Sequence, residues 1–170
     1  FPDRPVCLIH AEVHGAWVNS AAMKIMGIDK NTPDMENGLI IRDEDGNPTG
    51  VLLEAAAGLA TKYAFDFTPE EEKAVIHSFM DAAKKLGITS INDVQPYYHG
   101  NMGSIEVYHQ MDTDNELTIR IHAAPDLTGD LDAVVEGREK YSSEKLRIDH
   151  VKQFLDGVIT THTALVLDDY

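Results

Sequence analysis

At 170 residues and 43 % apolar content, the chain has material for one core-bearing domain and too little for two of comparable size. Its formal charge of −15, from 29 acidic against 14 basic side chains, repels phosphate backbones and anionic lipid, which argues against nucleic acid and membrane surfaces as partners. No run approaches the roughly 18 apolar residues of a membrane span, and the single cysteine, Cys7, has no internal disulfide partner, so a reducing compartment, the cytoplasm, is the expected location.

In chain order, Arg4-Pro5-Val6-Cys7-Leu8-Ile9-His10 is a short apolar run after a proline and reads as a strand. It leads through His14-Gly15-Ala16-Trp17-Val18 to Asn19 or Ser20, either of which can cap a short helix that ends at Gly27 in a left-handed stop. Residues 38–54 change character: Leu39-Ile40-Ile41 and Val51-Leu52-Leu53 flank Asp45-Gly46 and Asn47-Pro48, the pattern of an inserted β-hairpin.

Thr68-Pro69-Glu70-Glu71 is a capping box with a first-turn proline, so a helix starts there. Val75, Phe79, Ala82 and Leu86 recur at helical spacing as its buried stripe, and Gly87 closes it before the β-branched strand Ile88 to Val94. A helix from about Ser104 to Met111, a strand from Leu117 to Ala124, a helix from about Leu131 to Tyr141 and a strand from Leu146 to Leu155 follow. This βαβαβ order implies parallel strands, in either an open doubly wound sheet or part of a closed barrel.

In both architectures function gathers at the carboxyl ends of the strands, which draws attention to Asp93, His122 and the group Lys152 to Asp156. On a continuous last strand His150, Lys152, Phe154 and Asp156 share one face. An ammonium on an interior strand needs a partner or a changed protonation state. Lys152 is therefore ion-paired to Asp149 or Asp156, or snorkels outward, or is a neutral nucleophilic lysine. His10, Glu12 and His14 also alternate and could grip a divalent metal, or form a hydrogen-bonded histidine pair beside a surface carboxylate. Trp17 and Asn19 suit a pocket with one aromatic wall and one amide handle, or else a packed helix start and its cap. His122 is a site residue or a satisfied core imidazole.

Taken together, Arg4-Pro5-Val6, His14 to Ser20, Arg42-Asp43 with Gly46 to Leu52, Gly87-Ile88-Thr89-Ser90, and Val151 to Gly157 with Thr163-Ala164 resemble, in order and spacing, the metal-dependent amidohydrolases. The similar branch includes N-substituted formamide deformylases and exoenzyme-regulator-like proteins. The resemblance implies an α/β fold, a (β/α) TIM-barrel fragment covering about strands 2 to 4, with residues 1–170 a single internal piece and 38–54 an inserted hairpin. The opening at Phe1 without a methionine and the uncapped end at Tyr170 accord with that expectation.

The resemblance further implies hydrolysis of carbon–nitrogen bonds other than peptide bonds by metal-activated water, with a divalent metal, zinc, as one ion or two. Lys152 matches the lysine that carbon dioxide converts to a carbamate bridging two metals, and Asp156 joins it as a catalytic residue. His14, Trp17, Asn19, His122 and Asp93 fall on the substrate side. The His-x-His pair, later histidines and late Asp of the family do not occur within these residues, so this chain alone is expected to be inactive. Partners are then a small amide-type substrate, the remainder of its own barrel and, through exposed edges, further copies. The sequence departs from the family at Glu12-Val13 and at Thr160-Thr161-His162, both near the expected substrate side. A non-catalytic regulatory or binding domain on the same scaffold is the competing reading. An open flavodoxin-like domain fits βαβαβ but leaves the hairpin and the Trp17 segment without a role.

Overall fold

The capping box at Thr68 forms as its spacing predicts. Thr68 Oγ1 accepts from the Glu71 amide at 3.3 Å, and a Glu71 carboxylate oxygen accepts from the Thr68 amide at 2.8 Å. The structure is a computed structural model that describes residues 1–94, 104–127 and 130–170. The chain falls into two units, one of residues 1–66 with 154–170 and the other of residues 67–153.

In the unit of residues 67–153 the elements are α3 (Pro69–Lys85), β5 (Ser90–Val94), α4 (Ile105–Thr113), β6 (Arg120–Ala124), α5 (Leu131–Lys140) and β7 (Leu146–Ile148). Strands β5, β6 and β7 pair in that order and all in parallel, which is the βαβαβ sheet the alternation implies. Ile121, Ala123, Leu146 and Ile148 form its core with Ile76 and Met80 of α3 and Ile105 and Met111 of α4. Full burial of a side chain such as Leu146 contributes about 2 kcal/mol. The α3 stripe is Ile76, Met80 and Ala83, one residue out of step with the expected one, and Leu86 is exposed. Val75 and Phe79 still flank the core side, but the helix axis is rotated so that Ala82 and Leu86 face solvent.

The last strand is much shorter than expected. β7 ends at Ile148, and pairing resumes only as a bridge between Lys152 and Asp126. Pro125, directly after β6, has no N–H to continue the ladder. Beyond it the Lys152 amide donates to Pro125 O at 2.9 Å and the Leu127 amide donates to Lys152 O at 3.0 Å. His150, Lys152, Phe154 and Asp156 consequently do not share one strand face.

In the unit of residues 1–66 and 154–170 the elements are β1 (Cys7–Ile9), β2 (Gly15–Val18), α1 (Ser20–Met26), β3 (Gly38–Arg42), β4 (Pro48–Glu54) and α2 (Gly58–Ala64). The four strands make an antiparallel sheet in the order β1-β2-β4-β3. One face buries Ala16, Val18, Ile40 and Leu52 against Ala22, Ala56, Ala57 and Ala60. Gly50 allows the close approach of β2: its φ is +90°, and a Cβ there would lie 2.1 Å from Val18 O.

The first strand does not pass directly to a helix. Residues 10–14 reverse the chain between β1 and β2, with the Val13 amide donating to His10 O at 2.8 Å and Val13 at φ 64°. That turn breaks the alternation of His10, Glu12 and His14, so the three do not line one extended face. Asn19 caps α1 by accepting from the Ala22 amide, and Gly27 ends it at φ 70°. Among the described residues no helix is long and apolar enough to cross a membrane.

Candidate functional site

Asp93, on β5, lies in register with Ala123 of β6 and accepts a 2.8 Å hydrogen bond from the Tyr108 hydroxyl. Burial pushes its carboxyl above the usual Asp range, and the Tyr108 bond only partly offsets this. Burial likewise raises the Tyr108 phenol, with the neighbouring Asp93 charge adding to the effect.

His122, on β6, points Nδ1 at Asp149 Oδ2 at 2.6 Å, and His150 points Nδ1 at Asp149 Oδ1 at 2.7 Å. One carboxylate just beyond β7 thus orients two imidazoles. Desolvation raises the Asp149 pKa, but the hydrogen bonds from His150 and His122 and the histidine charges outweigh it and hold the group below the usual range. Lys152 is half-buried, and its Nζ donates to Gln153 O at 3.2 Å.

Asp156 belongs to the other unit, where it is exposed and Oδ2 accepts from the Leu165 amide at 3.0 Å. Trp17 stands on the open face of the antiparallel sheet, 61 % exposed, between Leu8 and Val51 of the adjacent strands. Asn19 is fully engaged by its own chain. Oδ1 accepts from the Val6 and Ala22 amides at 3.0 Å each, and Nδ2 donates to Phe1 O at 3.0 Å and Arg4 O at 2.8 Å.

His14 opens a group that residue spacing does not reveal. Its Nδ1 lies 2.8 Å from Glu54 Oε2, and both side chains are about four-fifths shielded from solvent, at 19 % and 20 % exposure. The other Glu54 oxygen accepts from Thr161 Oγ1 at 3.2 Å and from Thr163 Oγ1 in a short bond, and the two threonine hydroxyls are 2.8 Å apart. Phe154 meets the His14 ring edge-on, centroids 5.8 Å apart at 84°. Burial works against the Glu54 charge, yet the hydrogen bonds from Thr163 and His14 and the histidine charge hold its carboxyl below the usual Glu range. Glu54 itself sits at φ 51°, ψ −127°, a conformation that costs a non-glycine residue on the order of 1–3 kcal/mol. Gly157 makes room for this group, since a Cβ there would meet Thr163 Oγ1 at 2.1 Å. A further tie, Thr160 Oγ1 to Glu12 Oε2, holds the same segment to the β1–β2 turn.

Among the described residues no three His, Cys, Asp or Glu side chains converge as a set able to hold a metal ion. The described residues therefore do not by themselves make a metal centre.

A parallel sheet with ionisable groups at its carboxyl ends in one unit, and an antiparallel sheet with a largely shielded His–Glu pair in the other, define a mixed α/β protein with polar groups placed where such folds carry chemistry. The chain belongs to the amidohydrolase family, whose model matches residues 1–170. It is 30 % identical to Protein LONG AFTER FAR-RED 3 of Arabidopsis thaliana over 99 % of this chain and 30 % of that protein. It is 35 % identical to the N-substituted formamide deformylase of Arthrobacter pascens over 68 % of this chain and 21 % of that protein. The crystal structure of an uncharacterized metal-dependent hydrolase from Pyrococcus horikoshii OT3 shares the fold with a TM-score of 0.62 at 20 % identity, covering 96 % of this chain and 31 % of that one. The chain thus spans between about a fifth and somewhat over a third of the length of the curated relatives it matches.

Proposed function

We propose that this chain is a segment, about strands 2 to 4, of the (β/α) barrel of a metal-dependent hydrolase that cleaves carbon–nitrogen bonds other than peptide bonds. Family membership and a relative named as an N-substituted formamide deformylase support the reaction class. The observation that carries it is the parallel sheet, whose carboxyl end holds His122, Asp149 and His150 and, one bridge further on, the anchored backbone of Lys152. In this reading Lys152 is the carboxylated lysine that serves a divalent metal, zinc as one or two ions, whose other ligands lie outside this chain. Asp156 assists, and His14, Trp17, His122 and Asp93 face the substrate, with Asn19 fixing the strand-to-helix junction next to Trp17. The edges of β5 and β7 take up the remainder of the barrel or, failing that, further copies, and the protein works in the cytoplasm.

The test is turnover of N-substituted formamides by the full-length protein before and after chelation. Metal-dependent release of formate, reduced about a hundredfold by Lys152→Ala, is expected, with no turnover by this chain alone. Lack of metal-dependent turnover of any simple amide by the full-length protein would sink the proposal. A non-catalytic regulatory or binding domain is the second reading, favoured by the absence of a three-donor cluster among the described residues and by a relative whose name states no activity.

A further inference from the structure

The His14–Glu54 pair is built like an orienting dyad, and Glu54, Thr161 and Thr163 have no part in the proposed hydrolysis. Three observations bear on what it does. First, Glu54 is held as a carboxylate acceptor by two threonine hydroxyls on one oxygen, which leaves the other for His14 Nδ1 at 2.8 Å. An acceptor at Nδ1 places the imidazole proton there, so in neutral His14 the Nε2 lone pair is the free acceptor. Second, among the described residues the only polar partner of the His14 side chain is Glu54, while Phe154 closes one edge of the ring. The His14 side chain keeps 19 % exposure, so it is not sealed from solvent. Third, the Glu54 backbone is strained, at φ 51° and ψ −127°, and its side-chain bonds to His14, Thr161 and Thr163 hold it in that conformation.

From this geometry we infer that His14 Nε2 accepts a hydrogen bond from an N–H or O–H group of the ligand, with an apolar substituent lying against Phe154, and that Glu54, Thr161 and Thr163 are positioning residues that present that nitrogen. Within the hydrolase reading, on which this rests for the identity of the ligand, the donor is the N–H of a monosubstituted amide. The site then distinguishes amides that keep one N–H from N,N-disubstituted ones, because the latter leave a shielded acceptor without a partner.

The experiment has two arms, both on the full-length protein. In the first, long-range ¹⁵N–¹H correlation on ¹⁵N-histidine-labelled protein reads the His14 tautomer, with His14→Gln assigning the signal. The Nδ1–H form is expected, with Nε2 shifting when an N-alkylformamide is added and staying fixed when the N,N-dialkyl analogue is added. Glu54→Gln, which keeps size and removes charge, is expected to abolish the single-tautomer signature, and Thr163→Ser to restore wild-type behaviour where Thr163→Val does not. In the second arm, His14→Gln should raise KM for the N-alkylformamide about tenfold, and more than it raises KM for the N,N-dialkylformamide, so that the preference between the two amides shrinks. Binding of the N-alkylformamide at Nε2 without turnover would defeat the hydrolase reading and uphold this inference. A wild-type Nε2–H tautomer, an Nε2 signal indifferent to both amides, or equal losses on both amides in His14→Gln would overturn it.

Discussion

Replacing Gly157 by alanine tests whether the loop that bears Thr161 and Thr163 is held as tightly as the Glu54 group requires. A Cβ at Gly157 would fall 2.1 Å from Thr163 Oγ1, 2.5 Å from its Cβ and 2.8 Å from its carbonyl carbon. Rotating the hydroxyl away relieves only the first contact; the others belong to atoms fixed by the backbone, so the segment itself must shift. That shift removes the Val158 amide bond to Thr163 Oγ1, 3.0 Å in the native structure, and the Thr163 bond to Glu54. Overpacking costs about 1–3 kcal/mol and each lost hydrogen bond about 1 kcal/mol. Because the loop is partly solvated and water replaces some of these bonds, the expected loss is about 2–3 kcal/mol. Equilibrium urea unfolding of Gly157→Ala, Thr163→Ala and the double variant measures it. Since both substitutions remove the same two hydrogen bonds, the double variant should be more stable than additivity predicts by about 1 kcal/mol. Strict additivity, or a Gly157→Ala cost below about 0.5 kcal/mol, would falsify the packing argument.

Thr68→Ala removes the hydroxyl half of the α3 capping box and should lower stability by about 1 kcal/mol, read by thermal unfolding monitored at the helical circular dichroism band. Asp93 has a folded-state pKa raised above its ordinary 3.8, so its destabilising charge appears as pH rises through the folded value. Asp93→Asn, which can still accept from Tyr108, should therefore raise the Tm relative to wild type at pH 7 and lose that advantage in acid; a lower Tm at pH 7 would contradict the burial argument. Glu54 has the opposite sign. Its folded pKa lies below the ordinary 4.5, so its stabilising contribution is complete above that value and fades as pH falls below it. Glu54→Gln should accordingly lose stability near pH 7 and converge on wild type in acid, and a pH-independent difference would assign the loss to packing.

What the sequence made legible was local. Thr68, Pro69 and Glu71 specify the start of α3 within four residues, and Asn19 and Gly27 bracket α1 in the same way, because caps act through hydrogen bonds to neighbouring amides. The parallel sheet followed from element order, which is also a near-neighbour property. The rest was hidden for two reasons, one at long range and one in an unmarked turn. The end of β7 follows from Pro125, just past β6, and no pattern within residues 146–155 announces it. Val13 in a left-handed conformation is a rare choice for a β-branched residue, so the turn separating His10 from His14 carries no letter that marks it.

Glu54 is the sharpest instance. Its partners are 40 residues away at His14 and 107 away at Thr161, so spacing rules built on one helix face or one strand cannot reach them. Its left-handed backbone stands where a glycine would ordinarily mark such a turn, and a glutamate after Val51-Leu52-Leu53 reads as the polar end of a strand. The carboxylate nevertheless joins β4, the start of β2 and the 154–170 segment through side-chain bonds whose geometry is set by backbone positions far apart in sequence. A glutamate in a costly backbone conformation, tied by its side chain to segments far away in sequence, is intelligible only from the fold.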